Sequence, residues 1–196
     1  MHLIIANQIA NKTLITDKNA FLLGGIAPDA VSPKELSHFF EGDQNDFSRM
    51  IAYEKFYEKY RNYDQSDYIL GYYTHLIADD IWLNGFYLPW LKNRLENDEA
   101  VFNRYHHEFH LLNGKLLTHY GIGIDVLKDL YADNYVPDLA EVTANEVKNM
   151  LPFVKEDMNY SRKELDEKLT VFTFDQIIGY IETSIEKSIL LLKGKI

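Results

Sequence analysis

The sequence predicts an all-α fold: a multihelical, single-domain bundle over residues 1–196, with about seven or eight helices. Three observations point there. Apolar residues recur three or four apart along most of the chain, alternating runs are scarce, and Gly, Pro, Asn and Asp cluster between the periodic segments. With 196 residues, 46% of them hydrophobic and 26% charged, the chain is long enough to bury a core without cross-links.

The elements follow in order. Leu3, Ile4, Ala6, Ile9 and Ala10 suit one face of a first helix. A second apolar segment, Ala20 to Ala27, stops at Pro28, which disfavours helix in the residue before it. Gly24 and Gly25 inside that segment cost helix stability, which implies close packing against another backbone. Residues Pro33 to Asp46 read as loop and turns, broken by Gly42, Asp43 and Asn45. Phe47, Met50, Ile51, Phe56 and Tyr60 predict a long amphipathic helix from Phe47 to about Tyr60.

Ser66 or Asp67 is the expected cap of the next helix, which carries Tyr68, Tyr72, His75, Leu76 and Asp79 to about Leu83. Gly85 and Pro89 then break the pattern. Asp98 to about Tyr120 is helical and ends at Gly121-Ile122-Gly123. A short helix, Asp125 to Tyr131, leads into Pro137. Thr143 to Val154, opened by a Thr143/Glu146 capping box, and Phe174 to Leu192 complete the set. Leu169 to Phe174 is the one tempting strand, and it is short.

Charge and cysteine content narrow the function. Lys and Arg number 20 against 30 Asp and Glu, so the net charge of −10 argues against stable binding to nucleic acid or anionic membrane. There is no cysteine, so disulfides, thiolate zinc sites and thiol nucleophiles are all excluded. Any metal must be held by His, Asp, Glu, backbone and water. The first residues lack the basic and apolar regions of a secretory signal, and no apolar run approaches the roughly 20 residues of a spanning helix. A cytoplasmic protein is the expectation, and a homo-oligomer is compatible with it.

The sharpest local signal is Gly71-Tyr-Tyr-Thr-His75-Leu-Ile-Ala-Asp79. His75 and Asp79, four apart, lie one helical turn apart on nearly the same face, so an imidazole nitrogen and a carboxylate oxygen can meet one cation. Read alone, the pair is more simply explained by a plain imidazole–carboxylate hydrogen bond, since His-x-x-x-Asp is a common spacing. Phe21-Leu-Leu-Gly-Gly-Ile-Ala-Pro-Asp29 places an acid just after an apolar helix, and His38 follows in the aromatic run His38-Phe39-Phe40. His2 and the cluster Tyr105-His106-His107-Glu108-Phe109-His110 supply further nitrogens. His106 and His110 share a helix face, and read alone that cluster is a solvated helix surface.

The order of a His near the N-terminus, F-L-L-G-G-I-A-P-D, H-F and G-Y-Y-T-H-L-I-A-D resembles the zinc-dependent phospholipase C family. More closely, it is similar to the family's compact bacterial cytoplasmic branch, whose architecture is akin to that of the single-strand-specific zinc nucleases. The resemblance covers residues 2 to 83 well and 100 to 120 loosely. It implies a multihelical fold with zinc held between helices. Carried over, it makes Asp29, His38, His75 and Asp79 the four ligands of one metal, and makes Asp79 with His2 ligands of a second. It also implies that the chain following His75 should supply another His about ten residues on, where the sequence instead reads Asn84-Gly85-Phe86. His106 and His110 stand where a His-x-x-x-Glu element is expected, with His in the place of Glu. The resemblance therefore implies one or two Zn²⁺ ions rather than three, and Mn²⁺, Fe²⁺ or Ni²⁺ also suits imidazole with carboxylate.

The expected activity is hydrolysis of a small phosphoester by metal-activated water, with Asp29 doubling as the base that orients the water. A di-iron bundle would need two Glu-x-x-His elements, and only Glu35-Leu-Ser-His38 fits. The rival from another class is a non-catalytic helical binding module whose metal site is structural or vestigial.

Overall fold

The computed structural model describes residues 1–64, 66–131 and 135–196. Ten α-helices lie among these residues: α1 (His2–Lys12), α2 (Lys18–Ile26), α3 (Tyr53–Tyr60), α4 (Ser66–Trp82), α5 (Lys92–Asn97), α6 (Glu99–His119), α7 (Val126–Tyr131), α8 (Ala144–Asp157), α9 (Arg162–Asp166) and α10 (Phe174–Leu192). Seven of them run eight residues or more, so the all-α expectation holds. The one sheet among the described residues is a two-residue antiparallel pair, β1 (Phe40–Glu41) with β2 (Met50–Ile51). Among the described residues, no helix is long and apolar enough to cross a membrane.

Helices α2 and α4 form the central pair, and α1, α3 and α10 pack around it. The central crossing has a sequence cause. A Cβ on Gly24 would lie 2.0 Å from the Tyr68 carbonyl oxygen, and one on Gly71 would lie 2.0 Å from that of Phe21. The two backbones therefore touch, as the paired glycines of α2 imply. Phe21, Leu22, Tyr68, Tyr72, Tyr73 and Leu76 fill the space around this contact and are fully buried.

Several ends are made as the sequence implies. Asp98 caps α6, and Thr143 with Glu146 forms a full capping box on α8. At the end of α6, Gly121 takes φ +63°, while its N–H and that of Ile122 bond back to Thr118 and Leu117. This is a Schellman stop.

Four expectations are corrected. The helix expected from Phe47 begins only at Tyr53, because Phe47 takes φ +61° and Met50–Ile51 pairs with β1. Ser66 and Asp67 are helical rather than capping, and the position before them lies outside the described residues. Asp67 instead accepts a hydrogen bond from the Asp17 N–H, tying the start of α4 to the start of α2. Past Trp82 the chain stays helical through Gly85 and Pro89 as a π-helix, Leu83–Leu91. Leu83, Leu88 and Leu91 keep a buried stripe there, and the Phe86 ring stacks on Trp82 at 4.6 Å.

The fourth concerns Glu108, which is buried at 2% exposure rather than solvated. Its carboxylate accepts the backbone N–H groups of Thr170, Val171 and Phe172 and the Thr170 hydroxyl. The tempting strand at 169–174 therefore spends its donors on one side chain, which holds Phe172 against Trp82. Glu108→Ala strands these donors, and we expect it to cost about 3 kcal/mol. Urea unfolding checks this, and a loss below about 1 kcal/mol contradicts the role assigned to Glu108.

Candidate metal centre

Each side chain of the site is positioned by an element whose local sequence explains it. Asp29 sits in a one-turn 3₁₀ helix, Ala27–Ala30, which Pro28 opens at the end of α2. His75 and Asp79 lie one turn apart on α4. His2 begins α1, whose first turn is closed by the Met1 carbonyl accepting the N–H groups of Ile4 and Ile5. His38 is held by a turn in which its N–H bonds the Lys34 carbonyl at 2.9 Å. Phe39 then takes φ +51° and swings the chain into β1, a left-handed conformation uncommon for an aromatic residue and often found beside functional sites.

The five side chains converge. Asp79 Oδ2 lies 3.1 Å from His38 Nε2 and 3.3 Å from His75 Nε2, and its Oδ1 lies 3.1 Å from His2 Nε2. Asp29 Oδ1 lies 3.6 Å from His38 Nε2. The two Nε2 atoms of His38 and His75 are 3.4 Å apart, and the His2 ring stacks on His75 at 3.7 Å. Two overlapping groups of possible ligand atoms result, His2/His75/Asp79 and Asp29/His38/His75.

The far sides of two rings decide what the near sides can do. His75 Nδ1 is 2.9 Å from the Gly25 carbonyl, which only accepts, so this nitrogen carries the proton. His38 Nδ1 is 2.9 Å from Ser37 Oγ, whose own hydrogen is directed to the Lys34 carbonyl. The His75 Nε2 lone pair is thus turned toward Asp79 Oδ2, while His38 Nε2 faces oxygens of both Asp29 and Asp79. Acceptor facing acceptor is repulsive unless a cation or proton lies between them, so the donor set fits a metal. The Gly25 carbonyl reaches His75 because the glycine crossing lets α2 lie against α4.

Burial alone would lift Asp29 and Asp79, yet the surrounding histidines hold both carboxyls well below the usual carboxylate range. Burial alone would lower His38, but its hydrogen bonds to Asp29 and Asp79 raise it to about 9. His2 is pushed down by burial and by neighbouring His75.

Of the ligand candidates, His2, Asp29 and Asp79 open on a cleft of about 510 Å³. Trp82, Tyr105, Phe109 and Tyr180 form its aromatic wall, and Lys34 and Asp157 also line it. His106 and His110 line the same cleft but join neither ligand group. His110 is exposed and bonds Glu164 at 2.7 Å, His107 bonds Glu167 at 2.6 Å, and His106 is exposed against the Phe102 ring. Sequence reading missed Lys34, whose ammonium bonds Asp29 Oδ1. Its only signal is its place between Asp29 and His38, in a stretch that reads as loop.

The family described as zinc dependent phospholipase C has a model that matches residues 1–183, well beyond the 2–83 over which the motifs are visible. No curated protein and no solved structure matches the chain. A match over nearly the whole chain, on a helical fold whose central pair presents a His/Asp cluster fit for a cation, leads to one conclusion: the chain belongs to the zinc-dependent phospholipase C family.

Proposed function

We propose that the protein is a metal-dependent phosphoester hydrolase acting in the cleft beside Asp29 and Asp79. The observation that carries this reading is the convergence of the His38 and His75 Nε2 atoms on those carboxylates. His2, Asp29, His38, His75 and Asp79 are the residues to hold the metal. Two overlapping ligand groups support one or two ions, with Zn²⁺ favoured by the family and Mn²⁺, Fe²⁺ or Ni²⁺ compatible with the donors. When bound, the ion supplies Lewis acidity, making a water easier to deprotonate and drawing charge from phosphoryl oxygens.

The chain's own residues do the remaining work. Asp29 is reachable from the cleft, with a third of its side chain exposed, and it accepts a proton from the attacking water while orienting it. Asp79 holds His2, His38 and His75 in register through both of its oxygens. The aromatic wall keeps bulk water from one side and strengthens every charge interaction in the cleft. The cleft volume suits a small phosphoester. The net charge of −10 disfavours stable nucleic-acid or membrane partners.

Metal analysis by mass spectrometry, followed by a phosphoester panel, tests the reading. The expected result is about one or two bound equivalents, turnover lost on chelation, and turnover regained when Zn²⁺ or Mn²⁺ is restored. Unchanged turnover after complete metal removal would refute it.

A further inference from the structure

We propose that Lys34 is the anion-binding side chain of this cleft: its ammonium, which pairs with Asp29, engages a phosphoryl oxygen once a divalent cation occupies that carboxylate. The inference rests on the hydrolase reading above and assigns a residue that the family motifs do not include.

Charge accounting motivates it. Three carboxylates, Asp29, Asp79 and Asp157, face the cleft, and Lys34 is the sole Lys or Arg among the described residues lining it. With histidines neutral as ligands, one divalent cation leaves that set at a single negative charge. Lys34 is then the lining Lys or Arg side chain that can meet a phosphoryl anion. Lys34 brings the set to neutrality and supplies three donors for the oxygens.

The geometry separates a fixed base from a free head. The Lys34 carbonyl accepts the His38 N–H at 2.9 Å and the Ser37 hydroxyl at 3.2 Å, so its backbone belongs to the turn that aims His38. Its side chain is half exposed and makes one polar contact, with Asp29 Oδ1. That oxygen also faces His38 Nε2, so a metal ligated there competes with the ammonium for the same atom. Release of the head on metal loading follows from that competition. By linkage, metal and anion then favour each other's binding.

The test uses the full chain as Lys34→Met and Lys34→Arg, loaded with stoichiometric Zn²⁺ and titrated by calorimetry with inorganic phosphate and with dimethyl phosphate. Zinc affinity is measured in parallel by competition with a chelating dye. For Lys34→Met we expect phosphate or dimethyl phosphate binding to weaken at least tenfold and zinc affinity to hold or rise, with Lys34→Arg recovering most of the loss. A loss confined to inorganic phosphate supports the proposal for a terminal phosphate, and a loss with dimethyl phosphate supports it for a diester such as a lipid headgroup. A merely structural lysine would instead lower zinc affinity and melting temperature without a selective anion defect, which overturns the proposal. Wild-type protein that binds neither probe, or a Lys34→Met variant within twofold of wild type for both, overturns it as well. Lysine-dependent phosphate binding without turnover upholds the inference and removes the hydrolase reading, so the two fail separately.

Discussion

Asp79→Asn is expected to lower phosphoester turnover by at least ~100-fold, above the range that losing a mere supporting group of a metal ligand costs. Asp79 meets His2, His38 and His75 with its two oxygens, so it touches the histidines of both ligand groups. The amide keeps the shape and removes the charge. Its effect on the melting temperature separates the two classes of function. For a catalytic metal, the variant and the chelated wild type should melt close to the untreated protein. A structural metal contributes its binding free energy to folding, so both should melt far lower. Turnover and melting are read on the same sample with and without chelator. A chelator-sensitive fold with no turnover across the panel would favour a binding module.

Gly71→Ala is expected to destabilise the protein by about 3 kcal/mol or more, because overpacking against backbone has no flexible neighbour to yield. The new Cβ would meet the Phe21 carbonyl oxygen at 2.0 Å and the Gly25 nitrogen at 2.9 Å, so α2 and α4 must part. At 2–4 °C per kcal/mol for a chain of this size, the melting temperature should fall by roughly 6–12 °C. Zinc affinity should fall too, by about 10–100-fold, since parting the helices withdraws the Gly25 carbonyl from His75 Nδ1. Gly179→Ala is the control. It lies exposed within α10 with nothing within 4 Å of a new Cβ, and should stabilise by about 0.5–1 kcal/mol. Equal melting of the two variants would mean that the crossing is not the source of the cost.

The helices were legible because helix formation leaves a local mark. The periodicity of α10 and the Thr143/Glu146 box of α8 depend on residues within a turn or two of each other. The same locality explains the pair His75 and Asp79, which a single helix brings together. Where distant residues decide conformation, the pattern misleads. Phe47 to Tyr60 carries a helical spacing, yet β1 captures Met50 and Ile51. Leu169 to Phe174 has strand composition, yet Glu108, about sixty residues earlier, takes its N–H groups.

The sequence by itself determined an all-α fold, the absence of thiol chemistry, the glycine contact of α2, and a motif order specific enough to name a family. Only the tertiary structure decided that Asp29 and His38 reach the His75–Asp79 pair, because that distance depends on how closely two backbones cross. It also decided the side-chain partners at the rim of the cleft. His106 and His110 share a helix face, as their spacing requires, but His110 turns to Glu164, 54 residues away in sequence. A side chain's partner across such a separation leaves no periodic trace, and neither does the lysine that a turn carries to within reach of Asp29.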